Sequence, residues 1–86
     1  MIQIFYKPTF IKKLNRLESE LIEEVFEKME LFKDERNHKS LKVHKFHGKF
    51  SGRYSFSVNY KYRVAFRYEN KIQVVFLDVD DHDIYK

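Results

Sequence analysis

Cysteine and tryptophan are both missing from this chain of 86 residues. Without cysteine there is neither a disulfide framework nor a thiolate metal site. Two glycines and one proline leave little room for long loops, so most of the chain should be regular structure. No apolar run approaches the ~20 residues of a membrane span, and no signal-peptide pattern opens the chain. The expectation is a soluble cytoplasmic protein with no membrane partner. Residues 1–86 should form a single domain, with a core just large enough to fold unaided.

Acid is missing too, but only locally. From Arg36 to Tyr68 there are nine Lys or Arg and three His, and no Asp or Glu. The acids flank this stretch, from Glu18 to Glu30 before it and from Asp78 to Asp83 after it. Mixed-sign surfaces are the soluble default. Sorting the charges costs self-repulsion, and the usual return is an anionic partner such as nucleic acid. A solvated basic face without a partner is the plainer alternative. The interleaved aromatics and histidines favour the nucleic-acid reading.

Aromatics are plentiful, with nine Phe and six Tyr. Phe bulk suits a core, whereas Tyr can pack and still present a hydroxyl. Ile2–Tyr6 has the β-branched and aromatic content of a strand, and Pro8 is placed to open a helix. Phe10, Leu14, Leu17, Leu21, Val25, Met29 and Phe32 recur at helical spacing. Ser19, followed by acidic residues, could cap a second helix, which favours a two-helix hairpin over one long helix. Asp34 to Ser40 reads as a loop.

Beyond Leu41 the period changes to two. Phe56 and Val58 alternate with Ser55, Ser57 and Asn59. Val64, Phe66 and Tyr68 alternate with Arg63, Ala65 and Arg67. Glu69-Asn70 makes a hairpin turn, and IQVVFLDVD is apolar enough for a strand buried on both faces. The expected fold is α+β: an N-terminal strand, a two-helix hairpin, then a three-stranded antiparallel meander with the helices on one sheet face. Arg63 and Arg67, with Arg53 or Lys61, would then lie on the open face.

His44, Arg63, His82 and Tyr85 are the candidates for chemistry. Imidazole is the side chain suited to proton transfer near neutrality. Arg63 carries a charge in mid-strand, which favours a phosphate-facing role. Lys42, Lys45, His47, Lys49, Arg53, Lys61 and Arg67 are the candidate RNA contacts. His44-x-x-His47 with Asp81-His82-Asp83 is weak as a metal site, since no thiolate completes it. Neither metal nor cofactor is expected. Gly48 and Gly52 suit turns better than a phosphate-cradling loop.

The run LKVHKFHGKFSGRYSFSVNYKYRVAFRYENKIQVVFLDVDDHDIYK resembles the C-terminal half of RelE/ParE-superfamily toxins, the small toxins of bacterial type II toxin–antitoxin systems. The shared features are a Leu-Lys-x-His segment ahead of a Gly, a Tyr-Arg-Val-x-Phe strand, and a terminal His-Asp-x-Tyr. The helical N-terminal half fits the same fold. RelE-, YoeB- and YafQ-like members cut mRNA in the ribosomal A site, whereas ParE-like members poison DNA gyrase. Arg63, His82 and Tyr85 match the nuclease branch, and His44 matches the His of YafQ-like toxins. Tyr54 and Phe56 stand where RelE has paired lysines, Asp80 replaces a Gly, and Ser57 falls near a further YafQ-like His. The resemblance implies metal-independent cleavage by the RNA's own 2′-hydroxyl, contacts to mRNA and rRNA, and control by a cognate antitoxin. A gyrase-directed toxin without catalysis is the alternative.

Overall fold

A computed structural model describes residues 1–48 and 52–81. β1 (Gln3–Tyr6) leads into α1 (Pro8–Leu14) and α2 (Ser19–Phe32), and a single 3-10 turn follows at Glu35–Asn37. Four strands complete the order: β2 (His44–Lys45), β3 (Tyr54–Ser57), β4 (Tyr62–Tyr68) and β5 (Gln73–Asp81). They form a five-stranded sheet in the order β1-β5-β4-β3-β2. Its pairs are antiparallel except β1 with β5, which is parallel. The expected meander is β3-β4-β5. The two-residue β2 adds a strand at one edge, and β1 closes the other by pairing directly with β5.

The local sequence explains these boundaries. Pro8 occupies the first turn of α1, where its missing N–H costs nothing. The apolar spacing runs on through Leu17, but the helix itself is interrupted at residues 15–18, so two helices form rather than one. Glu18, not Ser19, takes the extended N-cap position of α2. The backbone N–H of Arg36 donates to Asp34, which caps the 3-10 turn. The Arg36 guanidinium, hydrogen-bonded to the same carboxylate, holds Asp34 down to about 2. Gly48 and Gly52 sit at φ 69° and 87°, the left-handed region that favours glycine.

The core lies between the two helices and one sheet face. Phe10 and Leu14 of α1 and Val25, Met29 and Phe32 of α2 pack against Phe56, Val64, Phe66, Val74, Phe76 and Val79. Phe32 is its hub, with its ring 4.8 Å from Phe56, 4.9 Å from Phe66 and 5.6 Å from Phe76. Burying a ring of this size stabilises by roughly 1.5–3 kcal/mol. Packing on this face fixes the register, because a one-residue slip would turn every core side chain outward. The opposite face is thereby assigned to Ser55, Ser57, Arg63, Ala65 and Arg67.

Candidate active site

Sheet register brings the basic segment together on that second face. Ser55 is the neighbour of both His44 on β2 and Ala65 on β4, and Ser57 is the neighbour of Arg63. Arg63 is half-buried, with Nη1 3.4 Å from Ser55 Oγ and 3.4 Å from His44 Nδ1. His44 Nε2 stands 3.5 Å from the Ser55 hydroxyl. His44, Ser55 and Arg63 thus form one mutually touching group drawn from three adjacent strands.

The His44 ring is oriented from behind. Its Nδ1 lies 3.1 Å from the Lys42 carbonyl oxygen. A carbonyl can only accept, so this bond requires the proton on Nδ1 and leaves the lone pair on Nε2. Nδ1 cannot then also accept from Arg63, so that approach is a contact between neighbours rather than a second hydrogen bond. Lys42 itself has φ 57°, left-handed backbone uncommon for a residue with a side chain. Leu41 O accepts from Ser57 N at 2.8 Å, which ties this turn to the end of β3.

Ser55 is fully buried, although it lies on the face expected to be open. Ala65 beside it is also buried, so the surface is narrower than expected and Arg63 stands at its rim. Tyr54 and Phe56, flanking Ser55, belong to the other face. Phe56 is wholly buried, and Tyr54 stacks on Phe66 with centroids 5.6 Å apart.

Acids close the far side of the group. The register sets Asp80 opposite Arg63 and Asp78 opposite Ala65. Lys13 of α1 reaches both, with Nζ 2.7 Å from Asp80 and 3.1 Å from Asp78. The hydrogen bond to Asp80 raises the Lys13 ammonium, against the opposing effect of its burial. Burial alone would raise the Asp80 carboxyl. The Lys13 bond, the Asp81 N–H and the Lys13 charge together bring it below its ordinary value. Among the described residues, Arg63 therefore contacts His44 and Ser55 rather than a carboxylate.

The remaining candidates scatter. Lys42, His47, Arg53 and Lys61 are exposed along the same segment. Lys45 pairs with Tyr54, which sets it on the helix side of β2, away from His44. Arg67 is bound to Glu69 at 2.9 Å. Lys49, His82 and Tyr85 lie outside the described residues. No cluster of His and acidic residues suited to a metal occurs among the described residues, and no described helix is long and apolar enough to cross a membrane. Sequence reasoning passed over Ser55 and Lys13. Ser55 was visible only as an outward position in an alternating strand, and Lys13 carried no signal at all.

No protein-family profile matches the sequence, and no curated relative does. Solved structures do. YafQ from Escherichia coli superposes with a TM-score of 0.79 at 12% identity, covering 98% of this chain and 97% of that one. The RelBE2 toxin–antitoxin complex from Mycobacterium tuberculosis gives 0.72 at 19% identity, covering 94% and 98%. The YoeB–YefM complex from Staphylococcus aureus gives 0.73 at 13%, covering 95% and 98%.

The fold is that of the RelE, YoeB and YafQ toxins.

The coverage is nearly complete in both directions, so the RelE-like likeness extends through helices and sheet alike. At these identities it establishes the architecture. The chemistry rests on this chain's own side chains.

Proposed function

We propose that this chain is the toxin of a type II toxin–antitoxin pair and cuts mRNA on the cytoplasmic ribosome without a metal ion. The observation that carries the reading is the His44–Ser55–Arg63 group, which sets an imidazole lone pair and a guanidinium side by side on a basic face. In the reaction, His44 Nε2 takes the proton from a ribose 2′-hydroxyl. The 2′-oxygen then forms its bond to the adjacent phosphorus. Arg63 stabilises the charge gathering on the phosphoryl oxygens. The P–O5′ bond breaks, and the 5′-oxygen is protonated as it leaves. A cyclic 2′,3′-phosphate and a 5′-hydroxyl result.

Ser55 spaces His44 and Arg63, and the Lys42 carbonyl keeps the imidazole in the tautomer a base needs. The sequence resemblance adds His82 and Tyr85: His82 donates the proton, and Tyr85 stacks on a base or orients the scissile phosphate. Lys42, His47, Lys49, Arg53 and Lys61 hold flanking phosphates. The neighbours solved as toxin–antitoxin and YoeB–YefM complexes support a cognate antitoxin as the second partner. Its binding covers the basic face.

The deciding experiment incubates translating ribosomes with the protein and maps new mRNA 5′ ends. Cuts that require both the ribosome and His44 are expected. Intact mRNA together with inhibited gyrase would replace this reading with the non-catalytic one.

A further inference from the structure

The turn joining β3 to β4 is built more rigidly than a connection requires. Val58 N donates to Tyr62 O at 2.9 Å, closing the loop. Asn59 Oδ1 accepts from the N–H groups of both Lys61 and Tyr62, each at 2.8 Å. The same side chain donates through Nδ2 to Glu24 of α2 at 2.8 Å, pinning the tip to the helix. On this pinned tip stands Tyr60, 95% exposed. A tight turn favours Gly, Asn or Asp, and no ring contact of Tyr60 occurs among the described residues. A large, amphipathic ring is held out in solvent where it contributes nothing to the core.

A groove runs from that tip back to Arg63, between the hairpin and α2. Lys28, Lys42, Ser57 and Arg63 line it. Lys28 has a distant partner in Glu27, at 3.9 Å. Glu24, the acid in the lining, is engaged by Asn59. Three peptide links separate Tyr60 from Arg63, so their Cα atoms are within about 11 Å. That is a span for a nucleotide close to the one being cut. Cations along a groove with an aromatic at its end are what single-stranded nucleic acid uses: phosphates track the charge and a base covers the ring.

We infer that Tyr60 is a stacking platform for a nucleobase of the RNA that flanks the scissile phosphate, with Lys28 and Lys42 holding its backbone in the groove. This rests on the ribonuclease reading for its substrate class. It adds a binding subsite on a different element from the reacting group. Because the tip is already fixed by Asn59, little ordering entropy is lost when the base stacks.

The chain has no tryptophan, so Tyr60→Trp installs a single reporter that keeps the stacking surface. Titration at low salt with a short single-stranded RNA should quench its emission, and the same RNA made abasic should not. Phe5→Trp, on the exposed edge strand β1, serves as the control and should stay unquenched. Tyr60→Ala should weaken RNA binding by about 5- to 150-fold, the range for losing one base stack, and Tyr60→Phe should retain affinity. On programmed ribosomes the half-saturating concentration of the Ala variant should rise in the same way.

Equal quenching by abasic RNA, or unchanged affinity in Tyr60→Ala, would overturn the assignment. So would quenching by an acidic antitoxin peptide but not by RNA. If the Tyr60→Trp variant reports stacking while the wild type cuts nothing on ribosomes, the nuclease reading falls and the subsite stands. If the wild type cuts and Tyr60→Ala binds as well as the wild type, the subsite falls and the nuclease reading stands.

Discussion

His44 Nδ1 and the carbonyl oxygen of Lys42 lie 3.1 Å apart, and the residue offering that carbonyl has φ 57°. Left-handed backbone at a lysine costs about 1–2 kcal/mol, so the turn carries strain at the point where it aims an acceptor at the imidazole. Strain of this kind gathers at functional sites, where the surrounding structure over-determines it.

Lys42→Gly and Lys42→Ala separate strain from charge. Both remove the ammonium, but only glycine relieves the backbone. The Gly variant should be more stable than the Ala variant by about 1 kcal/mol, read from urea midpoints. Both should bind RNA less tightly than the wild type, to a similar degree.

His44→Gln keeps a hydrogen-bonding group and loses titration near neutrality. Single-turnover cleavage should fall by about 10²- to 10⁴-fold, as for loss of one base, with an unchanged melting temperature because His44 is exposed. A variant that cuts at the wild-type rate would move the base elsewhere.

Arg63→Ala should cost at least as much in rate. Ser55→Ala should cost only about 2- to 10-fold, the effect of one ordinary hydrogen bond, because the hydroxyl positions its neighbours and does not meet the phosphate. If Ser55→Ala proved as severe as Arg63→Ala, the serine would have to act on the substrate itself.

The Lys13 bridge sets a pH window. Asp80 is held below its ordinary value, so its contribution is fully present above the unfolded carboxylate range, roughly pH 4. It is lost as pH falls through the folded value below that. Lys13 is raised above 10.5, so its part persists through neutrality and is lost only when strong alkali removes the proton. Both partners are about one-third exposed, and the stabilisation is no more than about 1 kcal/mol. The stability difference between wild type and Lys13→Met should be flat from about pH 5 to 9 and shrink in acid. Lys13→Met also leaves Asp80 facing Arg63 across the sheet, so cleavage should fall, and adding Asp80→Asn should restore part of it.

Much of this was legible in the residues before any coordinates. The alternation of Arg63 with Val64 and Phe66 placed the guanidinium on the non-helical face, because a strand's faces are set by parity alone. The switch from a helical period to a period of two marked the division between helices and meander. What sequence could not show was contact across strands. That His44 meets Arg63 depends on β2 pairing with β3 in one register, through a strand of two residues too short to leave a pattern. Lys13 reaching Asp78 and Asp80 spans more than 60 positions, and no local rule reports it. Gly48 and Gly52, expected in turns, both take left-handed backbone.

The parallel pairing of β1 with β5 has a consequence for how the protein comes into being. Gln3 meets a partner 70 positions later, and Phe10, Val25, Met29 and Phe32 have no sheet to cover them until β3, β4 and β5 have been made. Contacts this far apart in the chain close late, after the loop entropy between them has been overcome. A nascent chain interrupted before β5 therefore lacks the strand that joins β1 to β4 and, through it, to the rest of the sheet. The first strand of the sheet cannot be seated before β5 is complete.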